Sequence, residues 1–191
     1  MKKLAFVVLL LFPTLALAQS PYELRARYVA EDYYNWLHRI AEMCSYNELA
    51  YSDQAVTLEL QLLDLVVQYE GESLATDIRI PNDIDSIFGS SRKNKYTDVT
   101  ISNYVGRFRE YAVQNKFGFT YEVISCKQLE APTLRGGEDE ARWVEVVVNK
   151  KFRWNRKTIK VKDTMLVSFF NGNASITSIK NTYNTTNPSP Y

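Results

Sequence analysis

The chain has 191 residues, 46% of them hydrophobic and 24% charged, a balance that excludes extended disorder and low-complexity architecture. Its formal charge is +1, and without Lys2 and Lys3 the count is 21 basic against 22 acidic residues, or −1. That balance lacks the basic excess of a generic nucleic-acid binder, so no nucleic-acid partner is expected.

Residues 1–18 read as a signal peptide. Lys2 and Lys3 form a positive start, Leu4 to Leu15 is an apolar stretch, and Ala16-Leu17-Ala18 gives a small-x-small cleavage pattern. The expected product is exported, periplasmic or secreted, with no membrane span after cleavage. One domain over 19–183 and a polar tail over 184–191 account for the rest.

Ser20-Pro21-Tyr22-Glu23 has the form of a helix start with a capping box. Val29, Tyr33, Trp36, Leu37, Ile40 and Cys44 then recur at spacings of three and four, which predicts an amphipathic helix of about six turns. His38, the single histidine, falls far from the centre of that stripe and is expected to face solvent or a partner.

A second amphipathic helix is expected from Asp53 to Tyr69, and a short strand from Ala75 to Ile80. The polar stretch Asn82 to Asp98 reads as an exposed loop. Ile101, Tyr104, Val105, Phe108 and Ala112 predict a third helix.

From Phe117 the period changes to two. Phe119, Tyr121 and Val123 share one strand face, with Thr120, Glu122, Ile124 and Cys126 on the other. Gly136-Gly137 and Glu138-Asp139-Glu140 read as a hairpin loop. Two more strands carry Val144, Val146, Val148 and Phe152, then Ile159, Val161, Met165, Val167 and Phe169, on apolar faces. A two-residue loop at Asn155-Arg156 sets Phe152 against Ile159, Val146 against Met165 and Val144 against Val167, so turn and pattern agree on an antiparallel meander. Asn171-Gly172 signals a further two-residue turn into a last strand, Ala174 to Tyr183.

Asp163 breaks the apolar pattern of its strand. Lys150 lies diagonal to it on the neighbouring strand, and the turn at Asn171-Gly172 sets Lys180 opposite it. A charge on a buried face needs partners. Asp163 belongs to an ion-pair cluster at the open edge of the sheet, to a bulge that turns it outward, or to a pocket as an acid, base or ligand contact. Cys44 and Cys126 are a candidate disulfide in an oxidising compartment, the alternative being two free thiols. No metal-ligand spacing, phosphate loop or nucleophile elbow is present, and no cofactor is expected. The basic run Lys150, Lys151, Arg153, Arg156 and Lys157 straddles a hairpin and reads as its solvated face.

Three phrases carry a resemblance: Asp32-Tyr33-Tyr34-Asn35-Trp36-Leu37, Tyr104-Val105-Gly106-Arg107-Phe108, and Asn171-Gly172-Asn173-Ala174-Ser175-Ile176. With the order of helices and strands, the chain resembles an exported bacterial member of the nuclear-transport-factor-two-like superfamily, the cystatin-like cone shared with SnoaL-type and ketosteroid-isomerase-type proteins. The resemblance implies an α+β domain with N-terminal helices packed on a curved antiparallel meander, and a pocket between them. Tyr33, Trp36, Tyr121, Lys150, Asp163 and Lys180 are then the candidate ligand-binding residues, with Asp163 the candidate catalytic group.

The function expected is that of a non-enzymatic domain binding a small ligand or a protein through a pocket or its sheet face, with homodimerisation among the options. The rivals are a small isomerase- or dehydratase-like enzyme using Asp163, and a subunit of a cell-envelope assembly.

Overall fold

Ser20 and Glu23 form the expected capping box. The Ser20 N–H donates to Glu23 Oε2 at 3.0 Å, and the Glu23 N–H donates to Ser20 Oγ at 3.1 Å. From it runs α1, Pro21–Ser45, in a computed structural model that describes residues 20–45, 53, 57, 79–89, 98–129, 142–170 and 172–183. Val29, Tyr33, Leu37, Ile40 and Cys44 are buried as their spacing predicts, while Trp36 is half-buried at the flank. Ala26, Ala30, Tyr34 and Ala41 add a second buried row. The small alanines let α1 approach its neighbours closely.

α1 lies against β3 (Gly118–Gln128), which among the described residues is an edge strand with one side lacking a strand partner. Side chains of α1 reach that backbone: Arg27 Nη2 donates to Val123 O at 3.1 Å, and Glu23 Oε1 accepts from Gln128 N at 3.0 Å. The His38 ring, expected to face solvent or a partner, is half-buried and meets β3. Its Nδ1 lies 2.6 Å from Phe119 O, and because a carbonyl only accepts, Nδ1 carries the proton there. Its Nε2 is 3.3 Å from Glu42 Oε1, one helical turn on.

β1 (Arg79–Ile80) pairs antiparallel with β2 (Val99–Thr100), and between them lies α2, Asp83–Phe88. The exposed loop expected over 82–98 is corrected over 82–89, while 90–97 lie outside the described residues. The Asn82 side chain caps α2 by accepting from Asp85 N at 3.2 Å, and Asn82, Asp83, Ile84 and Asp85 are all buried. Polar composition concealed this turn of helix because its acids are buried with cationic partners, Lys150 for Asp83 and Arg107 for Asp85.

α3 (Ile101–Asn115) is capped by Thr100 and buries Ile101, Tyr104, Val105, Phe108 and Ala112, the residues its periodicity selects. It ends at Lys116 in the left-handed region, φ 48°. Behind it, Phe108, Phe117, Phe119 and Phe152 pack edge to face or tilted, with centroids 5.1 to 6.4 Å apart. Each fully buried ring contributes about 1.5–3 kcal/mol through its apolar area.

The main sheet is antiparallel and unclosed, in the order β3, β4 (Arg142–Trp154), β5 (Lys157–Phe170), β6 (Asn173–Tyr183). The β4–β5 register is the one the sequence predicts: Trp154 faces Lys157, Phe152 faces Ile159, Val146 faces Met165 and Val144 faces Val167. One face of β4 and β5 is buried and the alternate residues are half-buried or exposed. The chain is thus α+β, with an N-terminal helix and a four-stranded antiparallel sheet.

Two bulges correct finer expectations. Between β5 and β6 the pairing is Phe169 with Ala174 and Val167 with Ile176, then shifts by one past Leu166. Lys180 therefore faces Thr164 and is exposed, and Asp163 faces Asn181. A second shift between Val123 and Ser125 moves Cys126 to the register of Val146, so it leaves the face expected for it. Cys44 and Cys126 are free thiols, the first buried and the second half-buried. Several expectations lie outside the described residues: the leader, the loop over 136–140, Asn171 and the C-terminal tail. The second helix does too, except that Asp53 and Thr57 are helical, and of the strand from Ala75 only Arg79 and Ile80 are described.

Candidate functional site

β4 and β5 bring Lys150 and Asp163 together by parity alone. Lys150 is paired with Val161, so Asp163 sits one diagonal step away on the same inward face. Lys150 Nζ lies 2.8 Å from Asp163 Oδ2 and 2.5 Å from Asp83 Oδ2, the latter delivered by the first residue of α2. Tyr34 Oη donates to Asp163 Oδ2 at 2.6 Å. One ammonium therefore ties together a strand pair and α2, and through Tyr34 it is joined to α1.

The cluster is closed to solvent. Lys150 is 2% exposed, Asp163 1% and Asp83 2%. Tyr33 packs T-shaped on Tyr34 with centroids 5.0 Å apart, and Tyr121 stacks on Tyr34 at 5.5 Å while its hydroxyl donates to Glu31 O at 3.2 Å. The ring of Tyr104 lies 5.9 Å from Lys150 Nζ. Among the described residues its hydroxyl has no hydrogen-bond partner, although the charge of Asp83 acts on its titration. Among the described residues Asp83 Oδ1 and Asp163 Oδ1 are also without a hydrogen-bond partner, so each carboxylate is held there by a single oxygen.

The electrostatics follow from two carboxylates sharing one ammonium. Burial pushes the Asp163 carboxyl above its ordinary value; Lys150 opposes this and the charge of Asp83 adds to it. Burial alone would lower Lys150, but Asp163 and Asp83 outweigh it and the ammonium is held above its ordinary value. Tyr33, Tyr34 and Tyr104 are raised well above theirs, first by burial and then by the nearby carboxylates, so they remain hydroxyls. The arrangement can hold a proton on Asp163. It offers that carboxyl no exposed edge.

Of the candidate residues, Tyr33, Tyr121, Lys150 and Asp163 are assembled around this cluster. Trp36 lies apart, with the Arg39 guanidinium 5.1 Å from its ring centroid, and Lys180 points to solvent. Sequence reasoning missed Asp83 and Tyr34. A second ion pair, Arg107 with Asp85, sits beside the cluster, and Asn82 Nδ2 donates to the same Asp85 oxygen at 2.8 Å. Among the described residues no group of three His, Cys, Asp or Glu side chains is placed to hold a metal ion.

Compared with known proteins, the chain matches no family model, and no curated protein or solved structure matches it either.

Proposed function

We propose that this chain is an exported, non-enzymatic binding domain of cone-like architecture, in which the Lys150 cluster is a clamp and partners are met at the surface. The observation that carries this reading is the enclosure of Asp163. Its bonded oxygen, Oδ2, is occupied by Lys150 and Tyr34, and the residue is 1% exposed. A general acid or base must come within hydrogen-bond reach of its substrate, and this carboxyl offers no open path to one. The outward face of β4 and β5 instead presents Lys151, Arg153, Lys160 and Lys162.

The raised Asp163 carboxyl favours the rival enzyme reading, since perturbed carboxyls are common at reaction centres. Carbon-13 NMR of the Asp163 carboxyl separates the two. Carbonyl and hydroxy-acid compounds of the isomerase and dehydratase type should leave its resonance unmoved. A compound that shifts that resonance, and is turned over by the wild type but not by Asp163→Asn, would defeat the binding-domain reading.

A further inference from the structure

A recess of about 310 Å³ lies where the β4–β5 hairpin meets the end of α3, and Lys116, Arg153, Arg156 and Lys157 line it with no acidic residue among its described walls. Among the described residues, none of these four side chains makes an ion pair or a hydrogen bond. Lys151 nearby has Glu122 at 3.9 Å, and Arg107 has Asp85. Four like charges around one cavity repel one another, and among the described residues no acid is paired with them.

The backbone adds an independent observation. The three non-glycine residues with positive φ among the described residues are Lys116 (48°), Asn155 (47°) and Arg156 (61°), and all three line the recess. Asn tolerates this region, but the second central position of a two-residue hairpin turn of this kind favours glycine. Arg156 occupies it with a long cationic side chain. Left-handed conformations of ordinary residues concentrate where function holds them.

We infer that the recess binds a small ligand bearing a tetrahedral oxyanion ester, a phosphate or a sulfate. A phosphomonoester carries close to two negative charges at neutral pH. The guanidinium forks of Arg153 and Arg156 match its oxygens in pairs, and Lys116 and Lys157 complete the charge. The volume sits at the lower end of small-molecule sites, which suits a body of sugar size beside the anionic group. Trp154, T-shaped on Phe88 with centroids 5.5 Å apart, supplies an apolar wall, and the Thr158 hydroxyl a neutral donor. The site is separate from the Asp163 cluster, so it stands whether or not that cluster is catalytic.

The test is amide NMR titration of the purified chain with inorganic phosphate, inorganic sulfate, a hexose 6-phosphate and the neutral hexose, at ionic strength held constant with sodium chloride. Saturable shifts are expected at Lys116 and at Asn155 to Thr158 with the esterified or inorganic anions, and none with the neutral sugar. Preference between phosphate and sulfate identifies the source of the group. Arg153→Gln weakens the affinity roughly tenfold or more, as loss of a charge-assisted bond does. Arg156→Gly weakens it likewise while raising the melting temperature, because glycine suits the turn; a purely structural arginine would not move the two readouts in opposite directions. The inference is overturned if the shifts fail to saturate, or if sodium chloride alone reproduces them. It is equally overturned if only a nucleic-acid oligomer or an anionic polysaccharide binds, with shifts spread over the outward face of β4 and β5.

Discussion

Lys150 is the residue on which the buried charges depend. Replacing it with Met leaves Asp83 and Asp163 facing each other without a cation, at positions where neither reaches water. Breaking a buried pair from one side costs about 3–5 kcal/mol, and urea denaturation of Lys150→Met is expected to register a loss of that order. Asp163 behaves differently. Its carboxyl is raised by burial, so the folded state holds that proton more tightly than the unfolded chain. Its contribution to stability is complete below the ordinary value of 3.8 and is lost as pH rises through its folded value. The stability of Asp163→Asn relative to wild type should therefore climb over that interval and level off above it. A difference flat in pH would contradict the assignment. Lys150, raised by its carboxylates, contributes with the same sign in a different pH range: its share persists below 10.5 and fades only as pH passes its folded value on the alkaline side.

Half of this cluster was legible from residue types and strand parity. Asp163 announced itself as a charge among Val161, Met165 and Val167, and Lys150 followed by one diagonal step. Asp83 was not legible, because an acid in a stretch of Asn, Asp and Ser looks like solvent-facing loop until its partner is known. Tyr34 was hidden for another reason. It belongs to the row of Ala26, Ala30 and Ala41, whose small side chains weigh little in an apolar stripe, yet all are buried.

At the scale of elements, two glycines near the cluster give opposite predictions. A Cβ at Gly89, the C-cap of α2, would lie 2.5 Å from Asp85 O, the carbonyl that accepts the Gly89 N–H. Gly89→Ala must push α2 off its cap and is expected to cost about 1–3 kcal/mol, as overpacking does. A Cβ at Gly106, inside α3, meets nothing within 4 Å. Gly106→Ala removes backbone freedom from the unfolded chain without a clash and should stabilise by about 0.5–1 kcal/mol. Thermal or urea melts of the two variants should move in opposite directions, and a common direction would refute this account of the local packing. The strands carry a similar contrast. The β4–β5 register could be read because parity is unbroken along both strands. The β5–β6 slip had a signal that the turn overrode: Ile176 and Ile179 are both buried, and a spacing of three along a strand requires a bulge to put both inward. Thr177 sits in that bulge, its Oγ1 donating to Leu166 O at 3.2 Å.

For the molecule as a whole, the direction of α1 across the sheet decides the state of the cysteines. Ser20 Oγ donates to Gln128 Oε1, Arg27 reaches Val123 O, and His38 reaches Phe119 O, so the helix advances as β3 runs backward. Cys126 therefore lies beside Arg27, whose charge and hydrogen bond partly offset the upward push of burial on its thiol. Cys44 is seventeen residues further along α1, about 25 Å at the helical rise per residue. A disulfide requires Cα atoms within roughly 7 Å, so no rotamer change brings these thiols together. An even cysteine count would allow a bridge, and here helix direction rules it out. Alkylation of the denatured protein without prior reduction is expected to label both thiols, and the melting temperature of the native protein should be unchanged by reductant. A chain that resists labelling until reduced, at monomer mass, would mean that α1 does not run antiparallel to β3, and the contacts holding Tyr34 on Asp163 would fall with it.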